Sequence, residues 1–191
     1  MKQAVRATTR AVRTQLKPED IALWSEQIAA QVQTLDAFRR AKVVACYLAL
    51  PQEVQTAALL AACRRLGQRV CVPAYYYRAA GYRLAWLTEN DVLCAGRWQV
   101  PEPLEPVWVD QPAVVDVVIV PGLAFDAAGQ RIGHGGGGFD RLLEKVPAFK
   151  VGLAFAAQMV RRVPVAEHDI PMDVVVTEKK IYLCAQRVAR T

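Results

Sequence analysis

"KVVACYLALPQEVQTAALLAACRRLGQRVCVP", residues 42–73, holds the alternation that sets the fold. Residues 42–50 are β-branched and almost uniformly apolar, the composition of a strand buried on both faces. Pro51 ends that run. Residues 53–68 then read as a helix closed by Gly67, a residue suited to the left-handed turn past a helix end. Residues 69–73 open a second apolar strand. Strand, helix and strand in this order predict a mostly parallel sheet with helices on its faces.

The same grammar extends both ways. In residues 17–38, Ile21, Trp24, Ile28, Val32, Leu35 and Phe38 recur every three to four positions, which predicts one amphipathic helix. It opens with Pro18, tolerated in a first turn, beside Glu19 and Asp20, which suit a helix N-terminus. Downstream, short strands are predicted at residues 82–87, 114–121, 149–155, 173–177 and 180–188. The Pro-rich residues 100–112 read as an irregular surface connection, and no internal repeat is found. The expectation is a single domain over residues 1–191.

The 191 residues are 53% hydrophobic and 22% charged, an ordinary globular composition. No apolar run reaches the ~18–20 residues that span a bilayer, so no membrane association is expected. The five cysteines are odd in number and form no C-x-x-C pair. They read as buried reduced thiols, which suits a cytoplasmic protein. The net charge of +6 is concentrated at the start, where residues 1–17 carry five cations and no acid. That bias resembles a transit peptide, but the thin apolar face of Val5, Val12 and Leu16 and the lack of a linker argue against one. Lys2, Arg6, Arg10 and Arg13 would share one helix face, either solvated or aimed at phosphates. A basic nucleic-acid-binding module has no recognisable motif here, so no nucleic-acid partner is expected.

The chemistry is carried by "RIGHGGGGFDRLL", residues 131–143, with five glycines in six positions. Gly133, Gly135 and Gly138 satisfy G-x-G-x-x-G, but the loop lies far from the first strand and has no acid some 20 residues on. A Walker loop fails because Phe139 and Asp140 follow Gly138. What remains is a glycine-lined loop entering a helix near Gly138, whose free N–H groups suit an anion. Arg131 would add a forked cation. Asp140 is either a helix-dipole acid or, beside phosphate, a magnesium ligand, with Asp173 a candidate second carboxylate.

The stretch "VPGLAFDAAGQRIGHGGGGFDRLL" resembles the signature of the 5-formyltetrahydrofolate cyclo-ligase family. "KQAVR", "YLALPQEVQT", "GRWQVPEP" and "VGLAFAAQMVRRVPVAEHDIPMDVVVTE" are similar to further family segments in the same order. The resemblance implies a three-layer α/β/α sandwich with a mostly parallel central sheet. It implies a monomeric enzyme of the cytoplasm that turns 5-formyltetrahydrofolate, ATP and Mg²⁺ into 5,10-methenyltetrahydrofolate, ADP and phosphate. Position by position, it assigns Lys2, Arg6, Arg131, Gly133, His134, Gly135, Gly136, Gly137, Gly138 and Phe139 to ATP. It assigns Leu48, Glu53, Trp98 and Gly138 to the folate, Asp140 and Asp173 to magnesium, and Arg131 and Asp140 to catalysis. Arg10 and Arg13 are left as solvated cations, and His134 as a loop residue able to carry a proton. Trp98 reads equally as core. Where many family members carry two tyrosines before the aspartate, this chain has Gly138 and Phe139, which leaves a gap beside the folate. An ATP-binding paralogue acting on another small molecule is the alternative.

Overall fold

A computed structural model describes residues 1–184. In chain order the helices are α1 (Lys2–Thr14), α2 (Pro18–Val32), α3 (Asp36–Arg40), α4 (Ala57–Arg65) and α5 (Gly138–Leu143). The first strands are β1 (Val43–Ala45), β2 (Arg69–Tyr76), β3 (Gly81–Leu87), β4 (Leu93–Ala95) and β5 (Pro101–Pro103). They are followed by β6 (Val117–Val120), β7 (Ala124–Phe125), β8 (Arg131–Ile132), β9 (Phe149–Leu153), β10 (Val174–Val176) and β11 (Ile181–Leu183). Seven strands form one sheet in the order β11-β10-β9-β6-β1-β2-β3, and β4-β5 and β7-β8 are two-stranded ribbons. The five inner strands are parallel, while β3 and β11 close the edges antiparallel. The sheet is therefore mostly parallel, as the sequence predicts.

Side chains alternate across the sheet and split the core in two. Val44, Val117, Ile119, Val151 and Val174 pack on α2–α4 through Ile28, Phe38 and Leu59. Val43, Ala45, Val118, Val120 and Val175 face the other side, where Leu142 and Leu143 of α5 cover them. Both faces are covered, which is why the strands read as continuous apolar runs.

The departures from the predicted elements have local causes. The helix expected over residues 17–38 breaks at residues 33–35. There Leu35 turns extended, and the Thr34 hydroxyl donates to the Gln31 carbonyl in competition with the backbone ladder. The break lets Phe38 enter the core. β1 ends at Ala45; the Cys46 N–H still bonds the Cys71 carbonyl of β2, and residues 47–50 leave the sheet. The helix expected from Glu53 begins at Ala57, because Glu53 N–H closes a turn on the Leu50 carbonyl and the Thr56 hydroxyl donates to the Tyr47 carbonyl. Val114 instead ends a short 3-10 turn over Pro112–Val114, and β6 begins only at Val117. Of the strand expected over 180–188, residues 185–188 lie outside the described residues. The Pro-rich connection is only partly irregular, since Pro101–Pro103 pairs with β4 and Trp108 bridges to Ala85.

No disulfide joins the five cysteines, and four of them are buried. Burial raises the Cys46 thiol far above its ordinary range, pushes Cys63 and Cys184 up to about 11 and Cys71 up to about 12. The thiolate is the reactive form. Titration with a disulfide reagent at pH 8 should therefore show one fast thiol, Cys94, and four that react only on unfolding. Two or more fast thiols would contradict the packing of this core.

Candidate active site

The strand order reverses between β1 and β6, because the chain runs from β1 outward to β2 and returns on β1's other side. In open α/β sheets ligands bind at such a switch point, beyond the C-terminal ends of the strands. A cavity of about 730 Å³ opens there. Tyr47, Leu48, Leu50 and Glu53 line it from beyond β1, and Pro121 from beyond β6. The glycine loop forms a second wall, and Lys2, Arg6 and Arg10 of α1 form a third. Tyr82, Trp98 and Val100 form the aromatic side, with Ala166, His168 and Asp169 at the rim by α1.

The loop is shaped by two left-handed glycines, Gly135 at φ 109° and Gly137 at φ 62°, which a residue with a β-carbon rarely adopts. Among the described residues, the N–H groups of His134, Gly135, Gly136 and Gly137 donate to no protein acceptor. Arg6 Nε holds the loop from α1 by donating to the Gly133 carbonyl at 3.0 Å. The result is a row of open donors beside cations, a cradle for an anion.

Charges around the cavity are largely paired. Lys2 Nζ lies 2.7 Å from Asp169 Oδ1. Burial alone would raise the Asp169 pKa, but the Lys2 hydrogen bond, the Ala166 N–H and the Lys2 and His168 charges hold it below its ordinary value. Arg131 is buried under the loop, with Nη2 donating to Asp140 Oδ1 at 2.7 Å and Nη1 to the Pro121 carbonyl at 3.3 Å. Its fork is thus committed to Asp140 and the β6 end, so it fixes the aspartate rather than opening as an anion clamp. Asp140's other oxygen accepts no hydrogen bond among the described residues.

Glu53 is buried at the cavity floor, where its Oε2 accepts the Leu50 N–H at 3.0 Å. Its Oε1 faces His134 Nε2 at 3.7 Å and Arg13 Nη1 at 4.0 Å. His134 therefore spans from the glycine loop to Glu53. Trp98 is 60% exposed and belongs to the cavity mouth, not to the core. It sits at φ 57°, with Arg97 packed between its ring and that of Tyr75, and the Arg97 guanidinium donates to the Tyr75 hydroxyl.

Beyond the Arg131 fork, three further expectations need correction. Asp173 is not at the cavity: it precedes β10 at the N-terminal edge of the sheet, where its Oδ2 accepts the Lys150 N–H. The cavity opens at the C-terminal ends, so the strands separate Asp173 from Asp140. Arg13 is not solvated but buried behind Glu53. The gap expected beside Gly138 is filled, because a β-carbon there would meet Tyr82 Cδ2 at 2.9 Å. Tyr82 and Arg13 are the residues that sequence reading missed. The 17-residue cationic stretch pointed at Arg13 without its burial, and nothing local placed β3 over the loop.

Magnesium fits Asp140 and not Asp173. Among the described residues no group of three or more His, Cys, Asp or Glu side chains could hold a metal. One carboxylate with a free oxygen suits an ion whose other ligands are phosphate oxygens and water. No helix among the described residues is long and apolar enough to cross a membrane.

The comparisons agree with one another. The model of the "5-formyltetrahydrofolate cyclo-ligase family" matches residues 1–178. The Escherichia coli 5-formyltetrahydrofolate cyclo-ligase is 35% identical over 91% of this chain and 98% of its own length. The mouse protein of the same name is 26% identical over 91% of this chain and 95% of its own. The solution structure of Aquifex aeolicus 5,10-methenyltetrahydrofolate synthetase superposes with a TM-score of 0.84 at 32% identity, covering 100% of this chain and 96% of that one. A match over nearly the whole chain, by sequence and by fold, places this protein in the 5-formyltetrahydrofolate cyclo-ligase family, whose members are ligases of folate one-carbon metabolism.

Proposed function

We propose that the protein uses Mg-ATP to cyclise 5-formyltetrahydrofolate to 5,10-methenyltetrahydrofolate, with release of ADP and phosphate. The observation that carries this reading is one cavity that joins an anion cradle to a buried carboxylate. The cradle is the open N–H row of the glycine loop with Arg6 and Arg10 beside it. The carboxylate is Glu53, which lines the same cavity as Leu48 and Trp98.

A formyl amide is a poor electrophile, and its oxygen leaves poorly. Transfer of the γ-phosphoryl group to that oxygen breaks the bond to ADP and makes the oxygen a phosphate leaving group. N10 then attacks the formyl carbon, the C–O bond breaks, phosphate departs and N10 loses its proton. Phosphoryl transfer asks mainly for positioning and charge stabilisation. The loop and α1 cations would bind the phosphates, while Asp140, set by Arg131, would share the ion that ATP carries. Glu53 would accept from the donor edge of the pterin, and Trp98 would pack on the folate. Lys2, held by Asp169 at the rim, keeps further N–H donors that would reach a phosphate.

The direct test is to mix the protein with 5-formyltetrahydrofolate and Mg-ATP and to follow the methenyl chromophore. Its appearance only when all components are present supports the reading. Tight Mg-ATP binding without any chromophore would favour the paralogue, whose supporting observation is the loss of both loop tyrosines at Gly138 and Phe139. A truncation separates the two halves of the cavity. Removing residues 1–6 deletes Lys2 and Arg6 but keeps Arg13, so KM for ATP should rise about tenfold, roughly one lost charged contact. KM for folate should stay within about twofold, under 0.5 kcal/mol. Equal increases in both would show that α1 supports folding rather than the nucleotide.

A further inference from the structure

Arg13 lies on the buried side of α1, with its side chain 8% exposed. Its Nε and Nη1 atoms have no hydrogen-bond partner among the described residues. Burial holds its pKa below the ordinary arginine value, with Glu53 the largest opposing influence. A buried charge without full hydrogen bonding is costly, and an apolar side chain of similar volume is often no less stable. Packing alone therefore does not account for an arginine here. The acid beside it does: Arg13 Nη1 lies 4.0 Å from Glu53 Oε1. Arg13 itself does not line the cavity, whereas Glu53 does. The guanidinium stands behind the carboxylate, on its protein side.

The contacts of Glu53 show what is left for that guanidinium to do. Oε2 is fixed by the Leu50 N–H. Oε1 has only His134, which is half-exposed on the glycine loop, and Arg13. At 4.0 Å the Arg13 contact is longer than a hydrogen bond and acts through charge. A carboxylate offers about four lone-pair sites. The Leu50 N–H occupies one, which leaves the others for a ligand with paired N–H donors.

We infer that Arg13 is a positioning residue for Glu53. It holds Oε1 in the direction from which the carboxylate takes the donor edge of the bound pterin. The inference rests on the cyclo-ligase reading, in which Glu53 meets the folate. Arg13 touches no substrate, so its effect should be confined to Glu53.

The test is a cycle of four proteins: wild type, Arg13→Met, Glu53→Gln and the double variant. Arg13→Met should raise KM for 5-formyltetrahydrofolate about tenfold, with KM for ATP moving far less. In the Glu53→Gln background the same change should add nothing to the folate KM, because the partner is already altered. Arg13→Lys, which keeps a cation, should recover much of the loss. Glu53→Gln should lower Tm by leaving Arg13 unpaired, and Arg13→Met in that background should raise it again. The inference is overturned if Arg13→Met leaves the folate KM unchanged, or if its effect multiplies fully with that of Glu53→Gln. Should Arg13→Met fail to fold, Arg13→Lys and the Tm of the other two proteins decide, and independent Tm shifts overturn the pairing. A wild type silent on folate would overturn the cyclo-ligase reading instead. The pairing would then be judged by the Tm cycle, which needs no substrate.

Discussion

Asp140→Asn is expected to lower kcat/KM for Mg-ATP by about 100-fold, the scale of losing one preorganised charge-stabilising group. The loss should be greatest at limiting magnesium, where the substituted amide no longer competes for the ion. A helix-dipole acid alone would contribute about 0.3–1 kcal/mol to stability. The ion pair with Arg131 makes Asp140 more than that, because Arg131 is buried and donates to Oδ1 at 2.7 Å. Asparagine keeps an acceptor for that donor but loses the charge. A stability cost of about 1–2 kcal/mol is expected for the weakened charge-assisted bond. For a chain of this size that is a Tm decrease of roughly 2–8 °C. The two effects separate experimentally: turnover titrated with magnesium at 25 °C reports the site, and thermal unfolding reports the pair. Unchanged turnover at limiting magnesium would remove Asp140 from the phosphate side of the cavity and leave it a purely structural partner of Arg131.

The parts of the candidate site that are local in the chain are legible in the sequence. The glycine loop, Arg6, and Glu53 just past β1 are each set by a neighbouring element end, and a parallel sheet brings strand C-termini together. The inner strands were equally legible, because burial on both faces leaves uniformly apolar runs such as residues 117–120. What failed depended on tertiary neighbours. Asp173 is at the start of a strand, and only the direction of β10 in the sheet shows that this end is remote from the loop. Arg13 continues the spacing of Lys2, Arg6 and Arg10, yet three residues past Arg10 it has turned from the cavity toward Glu53. Helix bounds slipped where side chains competed for backbone groups, as at Thr34 and Thr56. Tyr82 left no trace at all, since its neighbour Gly138 is 56 residues away in sequence.

That last pair makes the second large prediction. Gly138 is outside the left-handed region, so its backbone would accept a side chain. Space would not: a β-carbon falls 2.9 Å from Tyr82 Cδ2 and 3.1 Å from Cε2. Tyr82 is itself packed against Tyr75, Trp98 and Phe139, with ring centroids 5.8, 6.2 and 6.0 Å away. Burial raises its phenol pKa, with Glu102 adding to the effect, so the hydroxyl stays protonated at neutral pH. Tyr82 of β3 thus fills the space beside Gly138. Tyr82→Ala should raise KM for folate about 5- to 150-fold, taking about 1–3 kcal/mol for one ring stacked on an aromatic ligand. Gly138→Tyr alone should weaken folate use rather than improve it, because the new ring must push Tyr82 off its neighbours. The double variant, Gly138→Tyr with Tyr82→Ala, moves the ring from strand to loop. It should recover at least about tenfold over Gly138→Tyr, or about 1.4 kcal/mol. Steady-state folate kinetics on the three variants decide the matter. A lower folate KM in Gly138→Tyr alone would mean that Tyr82 yields freely and does not form the wall of this cavity.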